Sequence, residues 1–183
     1  MKQLLVAASA PLLAASTARA QADSSNANHG VWLAASLGAV GTRALIRHGA
    51  PVASLELDVQ RGSTVYSARP QFMGGLGDFD AKSLSLLVGK GTASRGVGYS
   101  AISFGPSVIK AQNCAGGCTA FSDTPRGLGP TQWGVGIFAA GDVALRFGHR
   151  YGGGIGLTGY GSLNTAKSYA GVGLELLMGR WRL

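Results

Sequence analysis

Six charged residues in this chain each fall opposite the apolar phase of their own period-two segment: Glu56, Asp58, Arg69, Asp142, Arg146 and Glu175. On strands, that phase puts all six on one side of a sheet. There they would either line a polar pore or neutralise one another in a closed network, and a narrow interior favours the network. A second group, His48 with Asp78, Asp80 and Ser83, supplies the parts of a hydroxyl–imidazole–carboxylate set for acyl transfer. Its spacing matches no such motif, and coincidence is the simpler account. Cys114 and Cys118 stand four apart in NCAGGC. In an exported chain this pair predicts a disulfide closing a loop, worth roughly 2 kcal/mol. Two thiols without a nearby histidine make a poor metal site. There is no P-loop, and Gly152-Gly153-Gly154 precedes no helical pattern, so it is no dinucleotide loop. No catalytic residue, metal or cofactor is expected.

Strands must position these groups, and the alternation that predicts them is clear. In residues 51–60, Ala53, Leu55, Leu57 and Val59 alternate with Ser54, Glu56, Asp58 and Gln60. In residues 134–148, Val135, Ile137, Val143, Leu145 and Phe147 alternate with Gly134, Gly136, Asp142 and Arg146. Near the C-terminus Val172, Leu174, Leu176 and Met178 oppose Gly171, Gly173, Glu175 and Gly179. Further strands are predicted over 31–40, 64–73, 82–89, 97–110 and 152–164, giving eight. Several exceed the usual 5–6 residues of globular strands and approach the 9–11 that cross a membrane. Residues 74–81 (GGLGDFDA) read as a loop, and 111–130 as the longest irregular stretch. If Arg61-Gly62 closes a two-residue hairpin, Ser54 pairs with Arg69 and Glu56 lies one pleat away.

Bulk composition agrees with one domain. The chain has 183 residues, thirty glycines and only 13% charged residues. Glycine is costly in helices, so its abundance suits tight turns and a crowded barrel interior. Residues 1–20 read as a cleaved secretory signal: Lys2, an apolar run, then Ala18-Arg19-Ala20. Residues 21–30 are a polar lead-in, and 31–183 the barrel domain. Removing Lys2 and Arg19 lowers the formal charge of +8 by two. The remaining basic residues are scattered, which argues against nucleic acid and for an anionic lipid or polysaccharide surface.

Connections 2, 4 and 6 are short (RGS, GKGTASRG, HRY), whereas the odd-numbered ones include the eight- and twenty-residue stretches. By this asymmetry the chain resembles the small eight-stranded outer-membrane barrels of Gram-negative bacteria, the OmpA/OmpX-type architecture. The last hairpin, YGSLNTAKSYAGVGLELLMGRWR, is similar to the closing hairpins of uncharacterised barrels of that kind. The resemblance implies an antiparallel up-and-down transmembrane barrel with periplasmic termini, monomeric, inserted by the outer-membrane assembly machinery. It implies a structural or surface-interaction role, with loops facing lipopolysaccharide. Such barrels commonly end on an aromatic residue, whereas this chain ends Trp181-Arg182-Leu183. Trp181 shares the phase of Glu175 unless a bulge near Gly179 re-phases the strand. Arg43, Arg47, Lys82, Lys110, Arg126 and Lys167 fall in or beside the longer connections and are candidate lipopolysaccharide contacts. One alternative is a lipid A-modifying enzyme using the His48, Asp80, Ser83 set. No histidine here forms the His-x-Ser motif of the deacylase barrels, and a charged lumen suits no acyl chain. The other alternative is a secreted soluble β-barrel that binds a small apolar ligand.

Overall fold

The computed structural model describes residues 29–42, 50–74, 76–93, 98–119, 128–147 and 151–182. The expected signal segment and most of the lead-in lie outside them. Eight strands follow one another: β1 His29–Thr42, β2 Ala50–Arg61, β3 Thr64–Met73, β4 Leu76–Ala93, β5 Gly98–Thr119, β6 Leu128–Phe147, β7 Tyr151–Asn164 and β8 Tyr169–Arg182. Each pairs antiparallel with its neighbour, and β1 pairs with β8, so the sheet closes into an up-and-down barrel. Closure leaves no unpaired edge. The β1–β8 ladder runs from His29–Arg182 to Thr42–Tyr169 without a register shift, so no bulge re-phases β8 near Gly179.

Alternation decides which side of the wall each residue takes. Leu55 and Leu57 are about half exposed on the outside, while Glu56 and Asp58 are buried inside. The same holds in β6 and β8, where Ile137, Val143, Leu174 and Leu176 face out, and Asp142 and Glu175 face in. A wall this apolar far exceeds the patches that a soluble monomer exposes. Apolar outside with polar inside is the membrane-barrel arrangement, the reverse of a soluble barrel.

Three expectations are corrected. Residues 76–81 are strand, not loop: Asp80 pairs with Gln112 and Ala81 with Ala111. Their glycines and aspartates disfavour strand locally, but the ladder with β5 satisfies their backbone groups. β5 likewise runs to Thr119, so Cys114 and Cys118 lie on a strand rather than in a loop. The ladders on both sides shift register here: the step from Asn113 to Cys118 stands against the shorter step from Phe79 to Gly77, so the stretch is irregular. The predicted staple is not supported, and the two side chains lie outside the described residues. Finally, Arg61 pairs with Thr64, which makes Gly62-Ser63 the hairpin turn. Gly62 has φ 61°, as a primed turn with glycine in its first central position requires. That one-residue change moves the register by two. Ser54 pairs with Gln71, and Glu56 comes directly opposite Arg69.

Candidate functional site

The lumen is layered. At the end of the barrel that holds the Gly62-Ser63 turn, Trp32, Val65, Tyr99 and Leu177 form an apolar layer. Trp32 and Tyr99 meet edge to face at 5.0 Å. At the opposite end, that of the 165–168 connection, a second layer holds Met73, Ile109, Phe138, Tyr160 and Tyr169. Glycine makes room for these rings: a Cβ on Gly171 would lie 2.6 Å from the Tyr160 hydroxyl. Between the two layers sits a charged belt.

Arg69 is the centre of the belt and is 1% exposed. Its Nε donates to Glu56 Oε2 at 2.8 Å, and Nη2 reaches the same oxygen. Nη2 also donates to Asp142 Oδ1 at 2.9 Å, and Nη1 to Thr158 Oγ1 at 3.1 Å. The guanidinium stands 5.9 Å from the Phe138 ring centroid, where the belt meets the apolar layer. One side chain thereby ties β2, β3, β6 and β7 together across the lumen. Asp58 accepts a hydrogen bond from Ser67 Oγ. Arg146 and Glu175 are also buried at inward positions. Toward the loop end, Gln71 Oε1 accepts from Tyr169 Oη at 2.9 Å and Ser83 Oγ at 3.2 Å.

The six lumen candidates thus all lie inside, and direct contacts link Glu56, Arg69 and Asp142. Thr158 and Ser67 are partners that charge-based reading misses, although their inward phase was legible. The rim set does not assemble among the described residues. Ser83 is buried inside on Gln71 and Tyr169, while Asp80, three positions away, is exposed outside. His48 lies outside the described residues.

A second arrangement lies on the outer wall. The registers align Phe72, Lys82, Lys110 and Trp133 as direct neighbours across β3, β4, β5 and β6. All four are exposed, and Lys110 Nζ lies 5.8 Å from the Trp133 ring centroid. Toward the loops the next outward row is polar, Asp80–Gln112–Thr131; toward the turns it is apolar, Leu84–Val108–Val135. The Lys82–Lys110 row therefore marks where the apolar wall ends. Along β4, Lys90 stands eight residues further on, about 26 Å along the strand, with Leu84, Leu86 and Val88 outward between. With the usual tilt of about 35–45° that spans roughly 20 Å across the membrane, within an apolar band about 25 Å tall. Lys167 is partly exposed in the turn before β8, where its backbone N–H donates to Asn164 Oδ1 at 2.6 Å. Arg43, Arg47 and Arg126 lie outside the described residues.

No protein-family model and no curated protein sequence matches the chain. Solved structures do. The N-terminal β-barrel domain of Pseudomonas aeruginosa OprF aligns with TM-score 0.57 at 12% identity, covering 84% of this chain and 99% of that one. Ail, the attachment invasion locus protein of Yersinia pestis, aligns with TM-score 0.57 at 10% identity over 84% and 99%. A further Ail structure, in complex with the heparin analogue sucrose octasulfate, aligns with TM-score 0.53. Neisserial surface protein A aligns with TM-score 0.53 at 10% identity over 82% and 96%. The structural neighbours are small eight-stranded outer-membrane barrels, and the fold of this chain is theirs: a closed, all-β, antiparallel up-and-down barrel.

Proposed function

We propose that this chain is an outer-membrane barrel of a Gram-negative bacterium, delivered by the signal in residues 1–20. Its role is structural and surface-interactive, its lumen is closed by its own side chains, and its rim holds lipopolysaccharide phosphates. The observation that carries the reading is the Phe72–Lys82–Lys110–Trp133 row at the edge of the apolar wall. Two ammonium groups lie side by side at the level where outer-leaflet lipid carries phosphate. Rings at both ends of the row suit the water–hydrocarbon interface. Ail in complex with sucrose octasulfate, a polyanion, is consistent with anion recognition on this fold. Arg43, Arg47, Arg126 and Lys167, in or beside the same connections, would extend the basic rim.

Closure of the lumen is supported by Arg69, which joins four strands, and by the ring layers on either side of it. Eight strands leave an interior that side chains can fill. A non-enzymatic role is supported by the separation of Asp80 and Ser83 on opposite sides of the wall. The thermal midpoint in detergent, measured with and without lipopolysaccharide, tests the rim. Lipopolysaccharide should raise it, and added salt should reduce the gain. Lys82→Ala with Lys110→Ala should remove more of the gain than Arg61→Ala with Lys90→Ala at the turn end. Equal losses from the two pairs would overturn the rim assignment.

A further inference from the structure

The belt contains more acid than base. Among the described residues its ionisable members are the carboxylates Glu56, Asp58, Asp142 and Glu175 and the guanidiniums Arg69 and Arg146. Fully ionised, it lacks two positive charges inside a wall that excludes water, where unpaired charge is strongly disfavoured. Three of these carboxylates converge. Glu56, Asp142 and Glu175 each offer an oxygen, and the three oxygens lie within 4.8 Å of one another. Arg69 spends its hydrogen bonds on Glu56, Asp142 and Thr158, which leaves Glu175 outside its reach. A separate observation concerns that residue alone. Glu175 is 2% exposed, and its Oε2 is buried with no hydrogen-bond partner.

We propose that Glu56, Asp142 and Glu175 form a binding site for one divalent, oxygen-coordinated cation of the Ca²⁺ type. Charge and donor chemistry point to it, and the separation of the oxygens is compatible with it. Three carboxylates with Arg69 carry two net negative charges, which one such ion cancels. Ca²⁺ takes oxygens at about 2.3–2.6 Å, so donors on opposite sides of it stand roughly 4.6–5.2 Å apart. Mg²⁺ demands a near-ideal octahedron and usually keeps several waters, which an occluded site of three carboxylates suits less well. The donors are carboxylate oxygens alone, with no imidazole or thiolate, which selects hard cations over zinc or copper. The ion would join β2, β6 and β8, and so reach the one strand of the three that Arg69 does not hold. Ring layers on both sides would occlude it, so it would load during folding and exchange slowly.

The test folds the chain from urea into lipopolysaccharide-free detergent with either CaCl₂ or EDTA, then removes loose ions over a chelating resin. Metal content and thermal midpoint are read on each sample. Wild type folded with calcium should retain one Ca²⁺ per chain and melt higher than its EDTA-folded counterpart. Glu175→Gln should retain none and show no difference between the two preparations. Asp58→Asn, which removes a belt carboxylate outside the triad, should keep its ion. Wild type that retains no calcium overturns the proposal, whether or not the variants fold. Equal loss in Asp58→Asn and Glu175→Gln overturns it too, since general lumen charge would then be responsible. So does an EDTA-folded wild type that gains the same stability on lowering the pH from 8 to 5, because protons would then supply the missing charge.

Discussion

The belt around Arg69 and the row around Lys82 use similar charged groups in opposite surroundings. Inside, Arg69 has two carboxylates and a hydroxyl fixed against it, and almost no solvent reaches any of them. Outside, Lys82 and Lys110 stand exposed, neighbours of the same sign with rings on either side. Burial makes each inner partner indispensable, because a charge left alone in the wall has neither water nor counter-ion. Exposure makes each lysine nearly weightless for folding, since water solvates it whichever neighbour is lost. A charge can therefore be spared for recognition at the rim and not in the lumen.

Substitutions on both sides of the wall sharpen or break that contrast. Arg69→Met should be the largest, costing about 3–5 kcal/mol, because it strands Glu56 and Asp142 in the wall. Urea unfolding in detergent micelles followed by tryptophan fluorescence reads it, and a loss below that of Lys82→Ala would end the contrast. Leu57→Arg should cost about 2–4 kcal/mol by facing a charge to lipid near mid-wall. Asp58→Asn, one residue away and facing inward, should cost less. Cysteines placed at 55 and 57 should resist water-soluble thiol reagents, and labelling there would invert the wall. Ser67→Ala should cost about 1–3 kcal/mol by removing the hydroxyl that Asp58 accepts from. Smallest is Lys82→Ala, under about 0.5 kcal/mol without lipid, with its effect appearing only when lipopolysaccharide is added.

The strand faces were readable because β2 alternates apolar and charged residues at its centre, and because β6 keeps an apolar outer face although Phe138 and Ala140 share its inner side with Asp142 and Arg146. Leu55, Glu56, Leu57 and Asp58 admit one facing once the environment is known. Register was less readable. RGS permits two hairpins that differ by one residue, and only the Gly62 backbone at φ 61° selects between them. With that choice comes the pairing of Glu56 with Arg69. The extent of β4 and β5 was hidden for another reason. GGLGDFDA and NCAGGC have turn-like compositions, yet β4 and β5 run into them and pair there, as in Asp80–Gln112 and Gly77–Cys118, with a register shift between Phe79 and Gly77. Local propensity reports what a segment would do alone, and these segments are never alone. The belt's members were legible by phase, whereas the convergence of Glu56, Asp142 and Glu175 depends on barrel closure across three strands distant in sequence.

The seam between β1 and β8 makes this fold a problem of timing. His29 finds its partner in Arg182, and Thr42 finds its own in Tyr169. Until β8 is available, β1 has only β2 beside it and presents a full row of unsatisfied amides and carbonyls on its other side. Such an edge invites pairing with any extended chain nearby, and the wait spans most of the translated sequence. Long-range closure of this kind is slow in general. A nascent form stalled before β8 is therefore the state in which this chain is most exposed to aggregation and proteolysis. Abundance in the cell should respond more steeply to changes in β8, such as Gly173→Val, than equilibrium stability of the finished barrel does.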